Sequence, residues 1–186
     1  MIVLASGSPQ RKKLMEDCGL EFIVDPSYVN ESEVDPKLKP TEQIVYLATK
    51  KASEIAKKHP GAIVVGADTI IVYEDEILGK PKDEEDAYRM LKKLSGDRHR
   101  VYTAVALVRD EKAHTFVSET EVSMKPLSDL AIRNYIQTGE PMDKAGAYGI
   151  QGEGGNLVDH YKGDFFTIVG LPLKDLMEAL KKFKDE

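Results

Sequence analysis

Asp68 follows an unbroken apolar stretch, Ala62–Ala67. In open α/β sheets ligands bind beyond the carboxyl ends of strands, so a carboxylate there can hold a divalent cation or take a proton from water. It can equally cap a turn through its own backbone, and Thr69 beside it is also a good strand former. A second concentration of chemistry is the turn Ala5-Ser6-Gly7-Ser8-Pro9-Gln10-Arg11-Lys12-Lys13. A strand feeds a tight turn and a helix start there, and free N–H groups with the positive dipole end converge on one spot. Three basic residues in the helix's first turns, Arg11, Lys12 and Lys13, oppose the macrodipole, a conflict that a bound anion such as phosphate would remove. The alternative is an ordinary Ser-Pro cap with solvated basic residues. The turn has neither Walker A spacing nor the paired-glycine dinucleotide fingerprint.

Lys51 lies within the apolar stripe of the Thr41–Lys58 segment, four residues after Leu47 and four before Ile55. It either snorkels to the edge or reaches an anionic partner. Lys80, between Gly79 and Pro81, is a further cation on a returning strand. The acidic stretch supplies Glu31, Glu33 and Asp35, any of which could share a metal with Asp68; spacing does not choose among them. In Ala145-Gly146-Ala147-Tyr148-Gly149-Ile150-Gln151-Gly152 the glycines let backbone approach a planar ligand, and Gln151 has the donor and acceptors to read a base edge. A plain surface loop is the other reading.

These residues need elements to position them. Ile2–Ala5 reads as a strand, and Ser8 caps a helix with Pro9 at its first position and Gly19 at its end. Glu21–Val24 is a second strand. Asp25–Pro40 has three prolines and no period, a loop long enough to suggest function. Thr41–Lys58 is helical, with apolar positions Ile44, Leu47, Ala48, Ala52 and Ile55. The strand Ala62–Ala67 continues through Ile70–Tyr73, turns at Glu74-Asp75 and returns. Asp83 caps a helix with the apolar face Ala87, Met90, Leu91 and Leu94. His99–Arg109 and His114–Lys125 form a long hairpin. Ser128 caps the next helix, which Gly139 stops, and Glu140–Gly163 is rich in glycine. Phe165–Val169 is expected as a last strand and Leu173–Phe183 as an amphipathic helix. Cys18 is expected as a buried packing residue near the end of the first helix.

At 186 residues the chain has the size of one domain, 1–186, and can bury roughly 70% of its unfolded surface. Apolar residues make up 41% and charged residues 31%, which excludes a disordered chain. A net charge of −6 and no basic face with interleaved aromatics argue against extended nucleic-acid binding. One cysteine excludes a disulfide framework and a multi-cysteine zinc site. No apolar run is long enough to span a bilayer, and Met1–Ala5 is too short for a signal core, so a cytoplasmic protein is expected.

Taken together these segments resemble the Maf family of nucleoside triphosphate pyrophosphatases over nearly the whole chain. The resemblance rests on Leu4-Ala5-Ser6-Gly7-Ser8-Pro9-Gln10-Arg11, Gly66-Ala67-Asp68-Thr69, Gly79-Lys80-Pro81, and Leu94-Ser95-Gly96 followed by His99 and Thr103-Ala104-Val105. The longest stretch is Glu140-Pro141-Met142-Asp143-Lys144-Ala145-Gly146-Ala147-Tyr148-Gly149-Ile150-Gln151-Gly152, and all occur in the family's order. The resemblance implies an elongated α/β fold like that of inosine triphosphate pyrophosphatases, a mixed sheet with flanking helices and a cleft between two lobes. It also implies hydrolysis of a nucleoside triphosphate between the α and β phosphates, with Mg²⁺ or Mn²⁺, and a homodimer. Asp68-Thr69 with Tyr148-Gly149-Ile150-Gln151-Gly152 looks like the branch acting on dTTP and UTP rather than the branch acting on 7-methyl-GTP, with ITP a further alternative base preference.

By position, the resemblance makes Asp68 the general base and puts Gln10, Thr69 and Gln151 at specificity positions. It puts Ser6, Ser8, Arg11, Lys51 and Lys80 on the phosphate side and Glu31 in the metal site with Asp68. One position departs: the family's Ser-Pro-Arg-Arg is here Ser8-Pro9-Gln10-Arg11, which loses a planar cationic fork that Gln10 cannot supply. Lys12 or Lys13 offers a replacement cation. The family is also linked to inhibition of septum formation, so a nucleotide-binding regulator without turnover is the rival expectation.

Overall fold

Short apolar runs broken by serine, glycine and proline set out a mixed α/β fold in the computed structural model, which describes residues 1–185. Seven strands form one sheet in the order β2-β1-β3-β5-β6-β7, with β4 paired to β3. These are β1 (Ile2–Leu4), β2 (Ile23–Val24), β3 (Ile63–Tyr73), β4 (Glu76–Leu78), β5 (Arg98–Arg109), β6 (Lys112–Met124) and β7 (Val158–Lys162). Six α-helices accompany them among the described residues: α1 (Pro9–Asp17), α2 (Pro40–Ala56), α3 (Glu84–Leu94), α4 (Asp129–Gln137), α5 (Phe165–Val169) and α6 (Leu173–Asp185). The chain divides into two compact units. Among the described residues no helix is long and apolar enough to cross a membrane.

The first unit comprises Met1–Thr69, Thr103–Ser118 and the stretch from Gly170. All three residues of β1 are buried, and β1 pairs in parallel with β2 on one side and β3 on the other. Parallel neighbours need crossover connections, which α1 and α2 supply here. α1 starts where the sequence predicts, with Pro9 at its first position and the Ser8 hydroxyl accepting from the Arg11 amide. Helix α2 buries Ile44, Leu47, Ala48, Ala52, Ile55 and Ala56. A Cβ built on Gly66 would lie 2.3 Å from the Ala48 carbonyl oxygen and 2.9 Å from the Ala52 Cβ. The helix therefore crosses β3 in direct backbone contact, two residues before Asp68. Only glycine allows that approach.

The second unit comprises Ile70–Tyr102 and Glu119–Val169. The end of β3 folds back on β4 through Glu74-Asp75, both at positive φ, which suits the twist of a two-residue hairpin. Asp83 and Ser128 cap α3 and α4 by accepting from the Asp86 and Ala131 amides, as the sequence predicts. Ile71, Leu78, Met90, Leu91, Val122, Ile132 and Tyr135 are among the buried residues of this unit's core.

Two expectations are corrected. Phe165–Val169 is the helix α5, not a strand: the Asp164 carboxylate accepts from the Phe166 amide at 2.8 Å and the Asp164 carbonyl from Thr167 at 3.2 Å. This local capping wins over the strand propensity of an apolar run. The last strand is instead the polar β7, antiparallel to β6 with an irregularity at Ser123/Met124. Its last four residues are exposed, so no alternation advertised it. The second correction is Cys18, which is half-buried rather than buried, because it falls at the C-cap of α1.

Candidate active site

The exposed-stem alternative for Lys51 is decided by what its ammonium touches. The side chain is 13% exposed and donates to the Asp68 carboxylate at 2.8 Å and to the Glu31 carboxylate at 2.7 Å. Helix α2 places Lys51 against the strand because Gly66 lets the two backbones meet just below Asp68. Burial raises the Asp68 carboxyl above its ordinary value, against the pull of Lys51 and Arg11, with Glu31 adding to the rise. The result is a salt-bridged carboxylate that holds a proton more tightly than a free aspartate does.

Arg11 closes the same cluster from α1. Its Nε donates to the Gly170 carbonyl at 2.8 Å, one terminal nitrogen to the Ser6 hydroxyl at 3.2 Å, and the other to the Thr69 hydroxyl at 3.1 Å. Burial lowers its pKa while Asp68 and Glu31 hold it up, and a guanidinium stays charged throughout. Ser6 also accepts from the Ser8 amide, and the Ser8 hydroxyl donates to Gln10 at 3.1 Å. The first-turn conflict with the helix dipole is thus answered inside the protein for Arg11. Lys12 and Lys13 instead pair with Glu16 and Asp17 one turn along an exposed face, so neither stands in for the missing arginine in this structure.

The acidic loop is pinned to α2 at several points. Glu33 takes Lys50, Ser27 donates to Glu54, and His59 meets Asp25 at 2.9 Å. Asp35 is used locally, accepting from the Lys37 amide. Of the three acidic candidates only Glu31 shares a partner with Asp68. Its place is set by the 3₁₀ turn Glu31–Glu33, which Asn30 caps by accepting from Ser32. Thr103, fully buried on β5, lies 2.8 Å hydroxyl to hydroxyl from Thr69. Sequence reasoning did not single it out as a site residue; a hydroxyl inside the apolar run Val101–Val108 was the available signal.

Lys80 and Gln151 belong to the second unit, and both are exposed. Lys80 follows Gly79, whose carbonyl accepts from the Gly146 amide at 3.1 Å and ties β4 to the glycine-rich segment. The Asp143 carboxyl is held low mainly by Lys144, with Lys80 contributing. His99, part of the shared stretches, is 2% exposed and contacts the Tyr148 hydroxyl through Nε2. Burial drives its pKa down to about 4 and pushes the Tyr148 phenol up, so both are neutral at physiological pH.

Among the described residues no group of three or more His, Cys, Asp or Glu converges on a metal position. Glu31 and Asp68 nevertheless bracket one cation already, the Lys51 ammonium. Two carboxylates with the remaining oxygens supplied by phosphate is the donor set that Mg²⁺ or Mn²⁺ takes, so the residues fit such an ion.

Along nearly its whole length the chain is similar to relatives named dTTP/UTP pyrophosphatase. A dTTP/UTP pyrophosphatase of Acholeplasma laidlawii is 46% identical over 183 residues, covering 98% of this chain and 96% of that protein. Another, of Halalkalibacterium halodurans, is 49% identical over 180 residues, covering 97% and 94%. The solved structure of the Staphylococcus aureus Ham1 protein is 17% identical with a TM-score of 0.45, covering 66% of this chain and 71% of that one. The model of the Maf-like protein family matches residues 1–183, a span that takes in the Ser6–Arg11 turn, the Asp68 strand and the glycine-rich segment alike. The chain belongs to the Maf-like protein family.

Proposed function

We propose that this protein hydrolyses dTTP and UTP to the nucleoside monophosphate and pyrophosphate, with residues 1–186 acting as one functional domain. The observation that carries the chemistry is the Lys51 ammonium joining Asp68 and Glu31, with Arg11 charged beside them. The preference for these substrates is supported by relatives named dTTP/UTP pyrophosphatase at 46% and 49% identity.

Asp68 orients the attacking water and takes its proton as the oxygen bonds to the α phosphorus. The bond from that phosphorus to the bridging oxygen breaks, and pyrophosphate leaves with the electron pair. Arg11, Lys51 and Lys80, with the Ser6 and Ser8 hydroxyls, neutralise charge that grows on the leaving group. Thr69 and Gln151 select a pyrimidine with two ring carbonyls, while Gln10 adjusts affinity without adding charge. A Mg²⁺ or Mn²⁺ ion held by Glu31 and Asp68 would supply charge neutralisation on the triphosphate and greater acidity of water. The protein is further proposed to act in the cytoplasm as a homodimer.

Pyrophosphate release measured across a panel of nucleoside triphosphates, with and without Mg²⁺ or Mn²⁺, tests this reading. Preference for dTTP and UTP is expected. Preference for 7-methyl-GTP or ITP would overturn the base assignment. Tight binding without turnover at any metal concentration would favour a nucleotide-binding regulator.

A further inference from the structure

Glu140 has no part in the chemistry above, yet it gathers donors from across the glycine-rich segment. One carboxylate oxygen accepts from the Tyr135 hydroxyl at 2.9 Å and the Gly154 amide at 3.1 Å, and the other accepts from the Glu153 amide at 3.2 Å. The Tyr135 hydroxyl oxygen in turn accepts from the Gly149 amide at 3.2 Å. Both ends of the segment Gly149–Gly154 therefore hang on one phenol–carboxylate pair, and Gln151 lies between them.

The backbone here leaves no slack. A Cβ on Gly154 would come within 2.1 Å of the Gly149 carbonyl oxygen and 2.6 Å of the Tyr135 hydroxyl. One on Gly152, which sits at φ +75°, would lie 2.9 Å from a Glu140 oxygen. Burial keeps the Tyr135 phenol protonated, so it remains a donor to Glu140. Gln151 itself is exposed, and its side-chain amide makes no hydrogen bond among the described residues.

We infer that Tyr135 and Glu140 are positioning residues that fix the backbone under Gln151 and thereby set base selectivity. The inference rests on the proposed function, in which Gln151 reads the base. A side-chain amide discriminates between bases only if the backbone that carries it is fixed before the base arrives, because a moving backbone lets the amide adapt to either pattern. A six-residue stretch with glycine at three of its positions has no such rigidity of its own. The carboxylate supplies it from outside, through hydrogen bonds strengthened by its charge.

The test compares kcat/KM for dTTP and dCTP in the full-length protein and in the Tyr135→Phe, Glu140→Gln, Gln151→Ala and Tyr135→Phe/Gln151→Ala variants. Hydrogen exchange of the Gly149, Glu153 and Gly154 amides is read alongside. Tyr135→Phe is expected to cut the dTTP preference roughly tenfold, mainly through KM, and to speed exchange at those amides alone. Glu140→Gln, which removes the charge and leaves an NH2 facing either the Glu153 amide or the Tyr135 hydroxyl and Gly154 amide, is expected to lose at least as much. In the Gln151→Ala background, Tyr135→Phe is expected to cost no further selectivity. Unchanged preference in Tyr135→Phe, or fully additive losses in the double variant, would overturn the clamp while leaving the proposed function standing. A wild-type protein with no preference, or one indifferent to Gln151→Ala, removes the base-reading assignment and the clamp's role with it.

Discussion

The cluster at Asp68 and the segment from Gly139 to Gly155 both hold polar groups still, by opposite means. In the first, charged side chains on regular elements meet in a partly dry place: Lys51 from α2, Arg11 from α1 and Asp68 from β3. In the second, the groups being held are backbone amides, and the holding group is a single carboxylate assisted by a phenol. The first arrangement depends on which side chains are present. The second depends on which are absent, since a Cβ at 154 would collide with the Gly149 carbonyl and glycine at 152 takes a positive φ. Side-chain substitutions should therefore damage the first region through chemistry and the second through geometry.

The largest effect is expected from Asp68→Asn, which keeps the shape and the acceptor for Lys51 but cannot take a proton. Turnover should fall by roughly 10²–10⁴-fold with nucleotide binding retained, as read by pyrophosphate release and titration calorimetry. Binding lost in step with activity would make Asp68 a substrate or metal holder only. Lys51→Met should follow, because it strands Asp68 and Glu31 together without their shared cation. A loss of about 3 kcal/mol in denaturant unfolding is expected, alongside lost activity. A Lys51→Met protein as stable as the parent would mean that the two carboxylates find another partner.

In the second region Gly154→Ala should cost about 1–3 kcal/mol of stability through backbone displacement alone. It should leave the acid–base behaviour of the Asp68 cluster intact, which a pH–rate profile of residual activity checks.

His99 gives the contrast a pH axis. Its folded pKa of about 4 lies below the ordinary 6.5, so the unfolded chain binds more protons between those values. The corresponding stability, about 3 kcal/mol, is fully present above pH 6.5 and is lost as pH falls towards 4. His99→Gln should flatten this part of the urea-midpoint profile, and an unchanged slope would place the acid sensitivity elsewhere. Smallest of all, Lys12→Ala and Lys13→Ala should move neither melting temperature nor KM, since their partners lie on an exposed face. A raised KM would show that these lysines turn inward to substrate.

Legibility in the sequence followed the range of the interaction. The caps at Ser8, Asp83 and Ser128 were readable because a cap involves residues two or three apart. The α2 stripe was readable for the same reason, being a local period. Phe165–Val169 reads as a strand because five residues, four of them apolar and one a threonine, carry no period long enough to separate strand from helix. The strand β7 was missed because an exposed strand need not alternate. Within the candidate site, Lys51 could be placed on the apolar face, but not on a partner. Glu31, Glu33 and Asp35 were equivalent by spacing, and the fold separates them by giving each a different neighbour.

Amino-acid order alone determined the element sequence, the helix starts, the apolar faces and, through shared motifs, the family, because each is written in adjacent residues or in segments read one at a time. Only the folded chain decided that Lys51 would bridge Asp68 and Glu31, that Arg11 would reach Thr69 and Gly170, and that Glu140 would bind Glu153 and Gly154. Those contacts join positions up to 159 residues apart. Their energies depend on distance and burial in space, which no local pattern of residues encodes.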